Sequence, residues 1–249
     1  MIMCFGTRVT TSAKEVEKFY NVSKLMGKTP IEGELTYHHA NGWAHPLLWV
    51  IPQEKNNHIT PSMWGIMPQN TMGADFKKYY KDAARFGAGL NAQSEKLFDH
   101  FIYRFSAMTK RCVIPVNGFY EPHTAPKKFK IPFYFERKNE ALMSLAGLYT
   151  TTKDGYNTFT ILTKAATPLF KKIHNTKNRR PIILRDEDVD VWLNNDLGEQ
   201  EIRNVMEDDM DDMAINAYPI SKDLYNPKVD SNRPNINDEV NYEELEIEY

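Results

Sequence analysis

The sequence predicts an α+β fold with a curved, mostly antiparallel, partly barrel-like sheet core flanked by helices. Four segments rich in β-branched and aromatic residues follow one another with only short linkers between them: 111–121, 131–137, 141–150 and 157–164. Antiparallel pairing is the simplest way to join strands at this spacing. With 249 residues and 41% hydrophobic content, the chain can bury one large core or two modest ones that share an interface. We expect one catalytic domain over residues 1–236 and an acidic tail over 237–249.

Helical periodicity predicts the flanking elements. Residues 11–26 form an amphipathic pattern, and a longer one runs from Ser94 to Met108, where Ser94 can cap the start of a helix. Its apolar stripe consists of Leu97, Phe98, Phe101, Ile102 and Phe105. Shorter helices are expected at 166–173, 186–195 and 199–207. Residues 27–62 are rich in Gly, Pro, His and Asn, which indicates short strands mixed with loops.

Composition excludes several classes of protein. No window approaches the roughly 18 to 20 apolar residues of a membrane helix, and the opening segment turns polar too soon for a secretory signal. Two cysteines, Cys4 and Cys112, are too few for a disulfide framework or a cysteine-rich zinc site. His38 and His39 are adjacent and point to opposite sides of a strand, so they do not predict a shared metal. We expect a cytoplasmic monomer without cofactor, metal or membrane contact.

Charge is distributed unevenly along the chain. The net charge is −2, but residues 237–249 contain six carboxylates and no Lys or Arg. The rest of the chain therefore has 31 basic and 27 acidic residues, a balance of +4. A mildly basic body is compatible with a polyanionic partner, and the tail is expected to be a solvated or frayed end.

Cys4 combines two reactive groups if it is the first residue of the chain. An α-amine has a pKa of about 7.7 to 8.0, so part of it is unprotonated near neutral pH and attacks aldehydes. The neighbouring thiol can then capture the imine and close a thiazolidine ring. The alternative is that Cys4 is a small buried hydrophobe at the start of a strand.

Four further segments accompany the sequence Met3-Cys4-Phe5-Gly6. They are TPSMWGIMP (60–68), LNAQSEK (90–96), RCVIPVNGFYEP (111–122) and TILTKAATPLFKKIHNTKNRRPIIL (160–184). Each is weak alone, but their order and spacing, with Ala-Gly-Leu-Tyr at 146–149, resemble the SOS-response-associated peptidase (SRAP) family over nearly the whole chain. The resemblance implies a DNA-damage protein that crosslinks the aldehyde of an abasic site in single-stranded DNA, with possible autopeptidase and lyase activity.

The resemblance also assigns catalytic roles to four residues. Cys4 would form the crosslink, and Asn91 would hold the Cys4 end of the chain and the sugar by hydrogen bonds. Glu121 would move protons during imine formation and ring closure, helped by a pKa raised among apolar strand residues. His174, titrating near pH 6.5, would protonate the sugar ring oxygen or assist hydrolysis of the crosslink.

Candidate DNA contacts surround these residues. Trp64 and Met67 are expected at the surface, where Trp64 could stack on bases, whereas Phe119 and Cys112 are expected in the core. The remaining candidates are polar or basic: Gln93, Lys96, Lys171, Lys172, Lys177, Arg179 and Arg180. Further basic runs lie at 77–85 and 127–130.

The sequence departs from the family pattern at several positions. The family begins Met-Cys, whereas this chain begins Met1-Ile2-Met3-Cys4. Exposing the Cys4 amine therefore requires either translation from Met3, which we favour, or self-cleavage of the bond between Met3 and Cys4. The family commonly has Arg where Gln93 stands and Trp where Pro122 stands, and the stretch from His174 to Pro181 is longer. Gln93 cannot supply charge to a phosphate, so Lys96 and the cations near His174 would have to do so.

Two other functions use the same residues differently. An N-terminal-nucleophile amidase would also use a freed cysteine, but it would attack a carbonyl carbon and would not need basic clusters. A non-enzymatic single-stranded DNA-binding module would keep its affinity after Cys4→Ala.

Overall fold

A computed structural model of the chain describes residues 5–31, 33–100, 103–126, 129–245 and 247. Its helices are α1 Ala13–Tyr20, α2 Phe76–Ala83, α3 Arg104–Thr109, α4 Pro168–Ile173, α5 Val189–Trp192 and α6 Glu199–Glu207. Its strands are β1 Gly6–Val9, β2 Ser23–Lys24, β3 Tyr37–Asn41, β4 Leu47–Pro52, β5 His58–Trp64, β6 Asn91–Gln93, β7 Arg111–Val116, β8 Gly118–Thr124, β9 Lys130–Arg137, β10 Met143–Thr151, β11 Asn157–Ala165, β12 Arg179–Pro181, β13 Ile183–Leu184 and β14 Ile215–Pro219.

Five strands of the larger sheet close into a ring. Antiparallel pairing joins β5 to β4, β4 to β7, β7 to β10 and β10 to β11, and a parallel pairing of β11 with β5 completes the circuit. A second sheet of five strands has the order β14-β9-β8-β1-β3, and its pairings are antiparallel. The predicted α+β fold with a mostly antiparallel, partly barrel-like core is confirmed.

The strands form where β-branched and aromatic side chains cluster, and they bury both faces. β7 is buried along its whole length, and β8 and β9 bury aromatic side chains such as Phe119, which stacks on Phe135 and Phe170. Cys112 and Phe119 are 0% exposed, so the core positions predicted for both are confirmed. Burial also raises the pKa of the Cys112 thiol well above its ordinary value, which makes it a poor nucleophile.

Some of the helices lie where the sequence predicts them, and others do not. Helix α1 begins after Ser12, whose hydroxyl and backbone form a reciprocal capping box with Glu15, and α6 covers the predicted residues 199–207. The long helix predicted over 94–108 is wrong. A 3₁₀ turn covers 94–96 and α3 begins only at Arg104; of the predicted stripe, Phe101 and Ile102 lie outside the described residues. Phe105 is 67% exposed, so this stretch has no continuous apolar face to bury.

The C-terminal segment docks on the second sheet. The Val240 N–H donates to the Pro219 carbonyl, the Tyr242 hydroxyl donates to the Ile220 carbonyl, and Ile236 is fully buried. The sequence predicts a solvated or frayed end. Asp238, Glu239, Glu243 and Glu244 are exposed, as in a solvated end, whereas Tyr242 and Leu245 pack against the core, so residues 237–245 are not frayed.

Within the described ranges, no helix is long and apolar enough to cross a membrane. The same part of the chain contains no group of three or more His, Cys, Asp or Glu side chains arranged to hold a metal ion.

Candidate active site

Strand β8 and helix α4 bring Glu121 and His174 together. His174 ends α4, where its N–H donates to the Phe170 carbonyl at 2.7 Å. Its Nδ1 atom lies 3.3 Å from Oε2 of Glu121, and the two side chains are only 2% and 1% exposed. His123, also on β8, contacts the carbonyl oxygen of Ile173 through Nδ1 at 2.9 Å. The strand and the end of the helix are thus held in fixed register around the pair.

The surroundings of His174 lower its pKa below the value expected from the sequence. The pKa of His174 is lowered to about 4, mainly by burial and also by the positive charges of Lys130 and Lys177, although a hydrogen bond with the backbone of Arg179 opposes this shift. The imidazole is therefore neutral at pH 7, and its contact with Glu121 is not an ion pair. The prediction that His174 titrates near pH 6.5 is wrong for the folded chain, because the charged ring would lose its hydration.

This burial gives the folded chain a defined pH dependence. Burial also lowers the pKa of His39 to about 4, whereas histidine in an unfolded chain titrates near 6.5. Between these values the unfolded state binds more protons, so stability is fully present above about pH 6.5 and is lost as the pH falls toward 4. Between pH 7.5 and pH 5, we expect the free energy of unfolding to fall by about 2 kcal/mol for each of the two histidines.

Urea denaturation at the two pH values measures this loss. The variants His174→Gln and His39→Gln should each remove about half of the fall in unfolding free energy that the two histidines cause between pH 7.5 and pH 5. His58→Gln, at a half-buried position outside the pocket, should leave that fall unchanged. Equal pH dependence in all three variants would contradict the assignment.

A pocket of about 630 Å³ opens beside His174. Pro122 and His174 line it on the side of β8 and α4, and Phe5 lines it where the described chain begins. Lys130 and Lys177, both exposed, provide two positive charges on its wall. The pocket therefore places the buried His174, which contacts Glu121, together with two exposed cations.

Asn91 lies on a strand of the larger sheet, whereas Glu121 lies on the second sheet. It begins β6, which pairs in parallel with β11 beside Ile161. The preceding residue, Leu90, packs against Gly42, whose N–H donates to the Phe5 carbonyl at 2.6 Å. Asn91 and Gln93 point to the same, more open face of β6, while Ala92 between them is buried. The fold thus connects the Asn91 strand to the segment that carries Phe5.

Cys4 lies outside the described residues, and its predicted role stays a prediction. Its covalent neighbour Phe5 lines the pocket with His174. Strand β1 pairs with β8, with Gly6 opposite Tyr120, so the first described residues run alongside the strand that carries Glu121.

The surface position predicted for Trp64 and Met67 is wrong. Both side chains are 0% exposed. The Trp64 indole donates to the Leu90 carbonyl at 2.9 Å and stacks on Phe159, and the Met67 N–H donates to the Thr158 hydroxyl at 2.9 Å. Residues 64–67 run from the end of β5 along β11, where they are enclosed. They therefore cannot offer a stacking surface to DNA.

The basic candidates divide into exposed and sequestered side chains. Five of the predicted DNA contacts are exposed: Gln93, Lys96, Lys171, Lys172 and Lys177. Arg179 makes a two-pronged ion pair with Glu95, with nitrogen to oxygen distances of 2.9 and 2.8 Å. Arg180 is 1% exposed and is bonded to Asp209 at 2.9 Å, so its predicted contact with phosphate is wrong. Adjacent arginines in the sequence have opposite surroundings because β12 turns Arg179 outward and Arg180 into the core.

Sequence reasoning missed several residues that line the pocket. His39 was expected to be structural or at the surface; it is 5% exposed, lines the pocket, and its Nδ1 lies 2.7 Å from the Ser231 hydroxyl. Lys130 was noted only as part of a basic run, and Leu224, Tyr225 and Val229 gave no signal. No local pattern marks these residues, because they reach the pocket only through tertiary packing.

Residues 3–227 match the family described as SOS response associated peptidase (SRAP). The chain belongs to this family. The resemblance drawn from the sequence motifs is confirmed.

Relatives extend over most of the SRAP chain. Abasic site processing protein YoqW of Bacillus subtilis (strain 168) is 30% identical over 237 residues, covering 92% of this chain and 97% of YoqW. Abasic site processing protein YoaM of the same organism is 32% identical over 191 residues, covering 74% and 78%. A crystal structure of a protein from Bacteroides thetaiotaomicron aligns with a TM-score of 0.78 at 27% identity, covering 95% of this chain and 100% of that one.

Proposed function

We propose that this SRAP protein processes abasic sites in single-stranded DNA by forming a covalent crosslink through Cys4. The observation that carries the proposal is the buried Glu121–His174 pair at a pocket that Phe5, the residue bonded to Cys4, also lines. Relatives that cover nearly the whole chain are named abasic site processing proteins, which supports the choice of substrate.

The proposed reaction needs Cys4 to be the first residue. Its α-amine adds to the C1′ aldehyde of the ring-opened deoxyribose, and the resulting carbinolamine loses water to give an imine. The Cys4 thiol then adds across the C=N bond, the sulfur bonding to carbon and the proton passing to nitrogen. One thiazolidine ring forms and one water molecule is released.

Glu121 and His174 suit the proton transfers in this sequence. A carboxyl group at Glu121 can give a proton to the departing hydroxyl and take one back at a later step. The neutral His174 ring has one nitrogen that accepts a proton and one that donates, so it can exchange protons with Glu121 or with the sugar ring oxygen. Lys130 and Lys177 face the position where a flanking phosphate would lie.

The proposal includes two accessory activities, a lyase reaction and an autopeptidase reaction. An imine that is not captured by the thiol can lose the 3′ phosphate by β-elimination, which is the lyase reaction. Removal of residues 1–3 could be self-catalysed at the bond between Met3 and Cys4, which is the autopeptidase reaction; initiation at Met3 would give the same mature end. We propose single-stranded DNA as the partner and the cytoplasm as the location.

The proposal is tested by incubating protein that begins at Cys4 with a single-stranded oligonucleotide carrying one abasic site. We expect a heat-stable protein–DNA adduct, and none with a matched oligonucleotide whose abasic aldehyde has been reduced to an alcohol. Absence of adduct with the aldehyde DNA would overturn the proposal. Hydrolysis of small amides without adduct would favour the N-terminal-nucleophile amidase, and unchanged DNA affinity of Cys4→Ala with no adduct from the parent would favour a binding module.

A further inference from the structure

One wall of the pocket is formed by residues 224–231, here called the C-terminal wall. It contributes Leu224, Tyr225, Pro227 and Val229, which are apolar or aromatic. The cations Lys130 and Lys177 line the same pocket. We call the part lined by these two lysines the charged side, and the part lined by Leu224, Tyr225, Pro227 and Val229 the apolar side.

The C-terminal wall is fixed in place by hydrogen bonds to strand β3. The Ser231 hydroxyl lies 2.7 Å from Nδ1 of the buried His39. Next to it, Oδ1 of Asn232 accepts from the backbone N–H groups of His38 and His39 at 2.8 and 3.3 Å. Because its anchor is bonded to a strand of the second sheet, the wall offers a preformed surface.

An aromatic pair lies where the C-terminal wall meets the start of the described chain. The rings of Phe5 and Tyr225 are 6.1 Å apart and tilted by 43°. An abasic sugar has no base and offers nothing flat or apolar to contact these rings. The charged side of the pocket can account for its phosphates, but the apolar side has no counterpart in the abasic residue itself.

We propose that Phe5 and the C-terminal wall hold the nucleobase next to the abasic site, with Tyr225 as the stacking residue. The inference rests on the proposed function and names the part of the substrate that the apolar side recognises. Stacking on an aromatic ring accepts any base because every base has a π-face. Leu224, Pro227 and Val229 add apolar contacts beside the ring, and Asn226 and Ser231 are the polar residues of the wall that line the pocket. The phosphate between the two nucleotides faces Lys130 and Lys177.

The test measures equilibrium binding to single-stranded DNA that contains a non-reactive, reduced abasic site. Three oligonucleotides are compared: one with bases on both sides of the site, one lacking the 5′ neighbouring base, and one lacking the 3′ neighbouring base. Tyr225→Ala should weaken binding of the first roughly 5-fold to 100-fold, the range for loss of one base–aromatic stack. For the oligonucleotide that lacks the stacked base, the same substitution should change affinity by less than about twofold.

Tyr225→Phe keeps the ring and should bind the first oligonucleotide like the parent protein. Tyr225→Leu keeps apolar bulk without a π-face and replaces Tyr225→Ala if that variant does not fold. A loss of equal size on all three oligonucleotides would overturn the inference while leaving the proposed function intact. Failure of the parent protein to bind any of them would overturn both.

Discussion

Glu121→Gln is expected to slow formation of the DNA adduct by roughly 10²-fold to 10⁴-fold, the range for loss of a positioned acid–base group. Gln has nearly the same shape as Glu, but its amide group cannot give or take a proton near neutral pH. The carboxyl group is 1% exposed and lies 3.3 Å from the neutral His174 ring, so bulk water cannot readily replace it. Single-turnover rates of adduct formation on abasic single-stranded DNA measure the effect.

Glu136→Gln is the matched control for this prediction. Glu136 lies on β9, directly beside the strand that carries Glu121, and it is half-buried but does not line the pocket. Its substitution should leave the rate of adduct formation within about twofold of the parent. A Glu121→Gln protein that unfolds like the parent in urea and reacts at the parental rate would contradict the proton-transfer role.

Arg180→Met is expected to lower the free energy of unfolding by about 3 to 5 kcal/mol, the cost of breaking a buried ion pair. The Arg180 guanidinium donates to Asp209 at 2.9 Å and to the Met210 carbonyl at 3.2 Å, and it lies 4.6 Å from the centre of the Phe170 ring. Met fills the space but removes one of the two cations, Arg180 and Lys164, that pair with the 4% exposed Asp209 carboxylate among the described residues. Urea denaturation at pH 7.5 measures the loss.

Lys172→Met provides the comparison. Lys172 is an exposed residue of α4, so its loss should change stability by less than about 0.5 kcal/mol. If it contacts a phosphate, the slope of log affinity against log salt should become shallower by about 0.7 for single-stranded DNA. The reverse outcome, with Arg180→Met stable and weak in binding DNA, would contradict the burial of Arg180.

Much of the fold follows from local sequence patterns. The four predicted segments rich in β-branched and aromatic residues form five strands, β7 to β11, because the segment 111–121 divides at Asn117 into β7 and β8. Helix α6 forms where a periodic stripe follows Gly198 and Glu199. The helix predicted at 94–108 fails because an apolar period does not show whether a partner surface exists; Phe105 has none and stays exposed. Closure of the ring by the parallel pairing of β5 with β11 is a contact between distant segments, and no local pattern reports it.

The residues of the candidate site could likewise be predicted only in part from the sequence. Glu121 and His174 could be named from motifs, and the fold places them 3.3 Å apart although 52 positions separate them in the sequence. Aromatic character suits both a core and a DNA surface, so the sequence does not place Trp64. Its full burial, its stacking on Phe159 and its hydrogen bond to the Leu90 carbonyl place it in the core. The pairing of His39 with Ser231 spans 192 positions, so the C-terminal wall could not be foreseen from sequence.

Mass spectrometry of the adduct after proteolysis identifies the residue that carries the DNA. We expect the deoxyribose remnant on a peptide that begins at Cys4, without residues 1–3, with a mass that reflects loss of one water molecule on joining. A remnant attached to a lysine such as Lys177, or to a peptide that still contains Met1, Ile2 and Met3, would contradict crosslinking through the Cys4 amine and thiol.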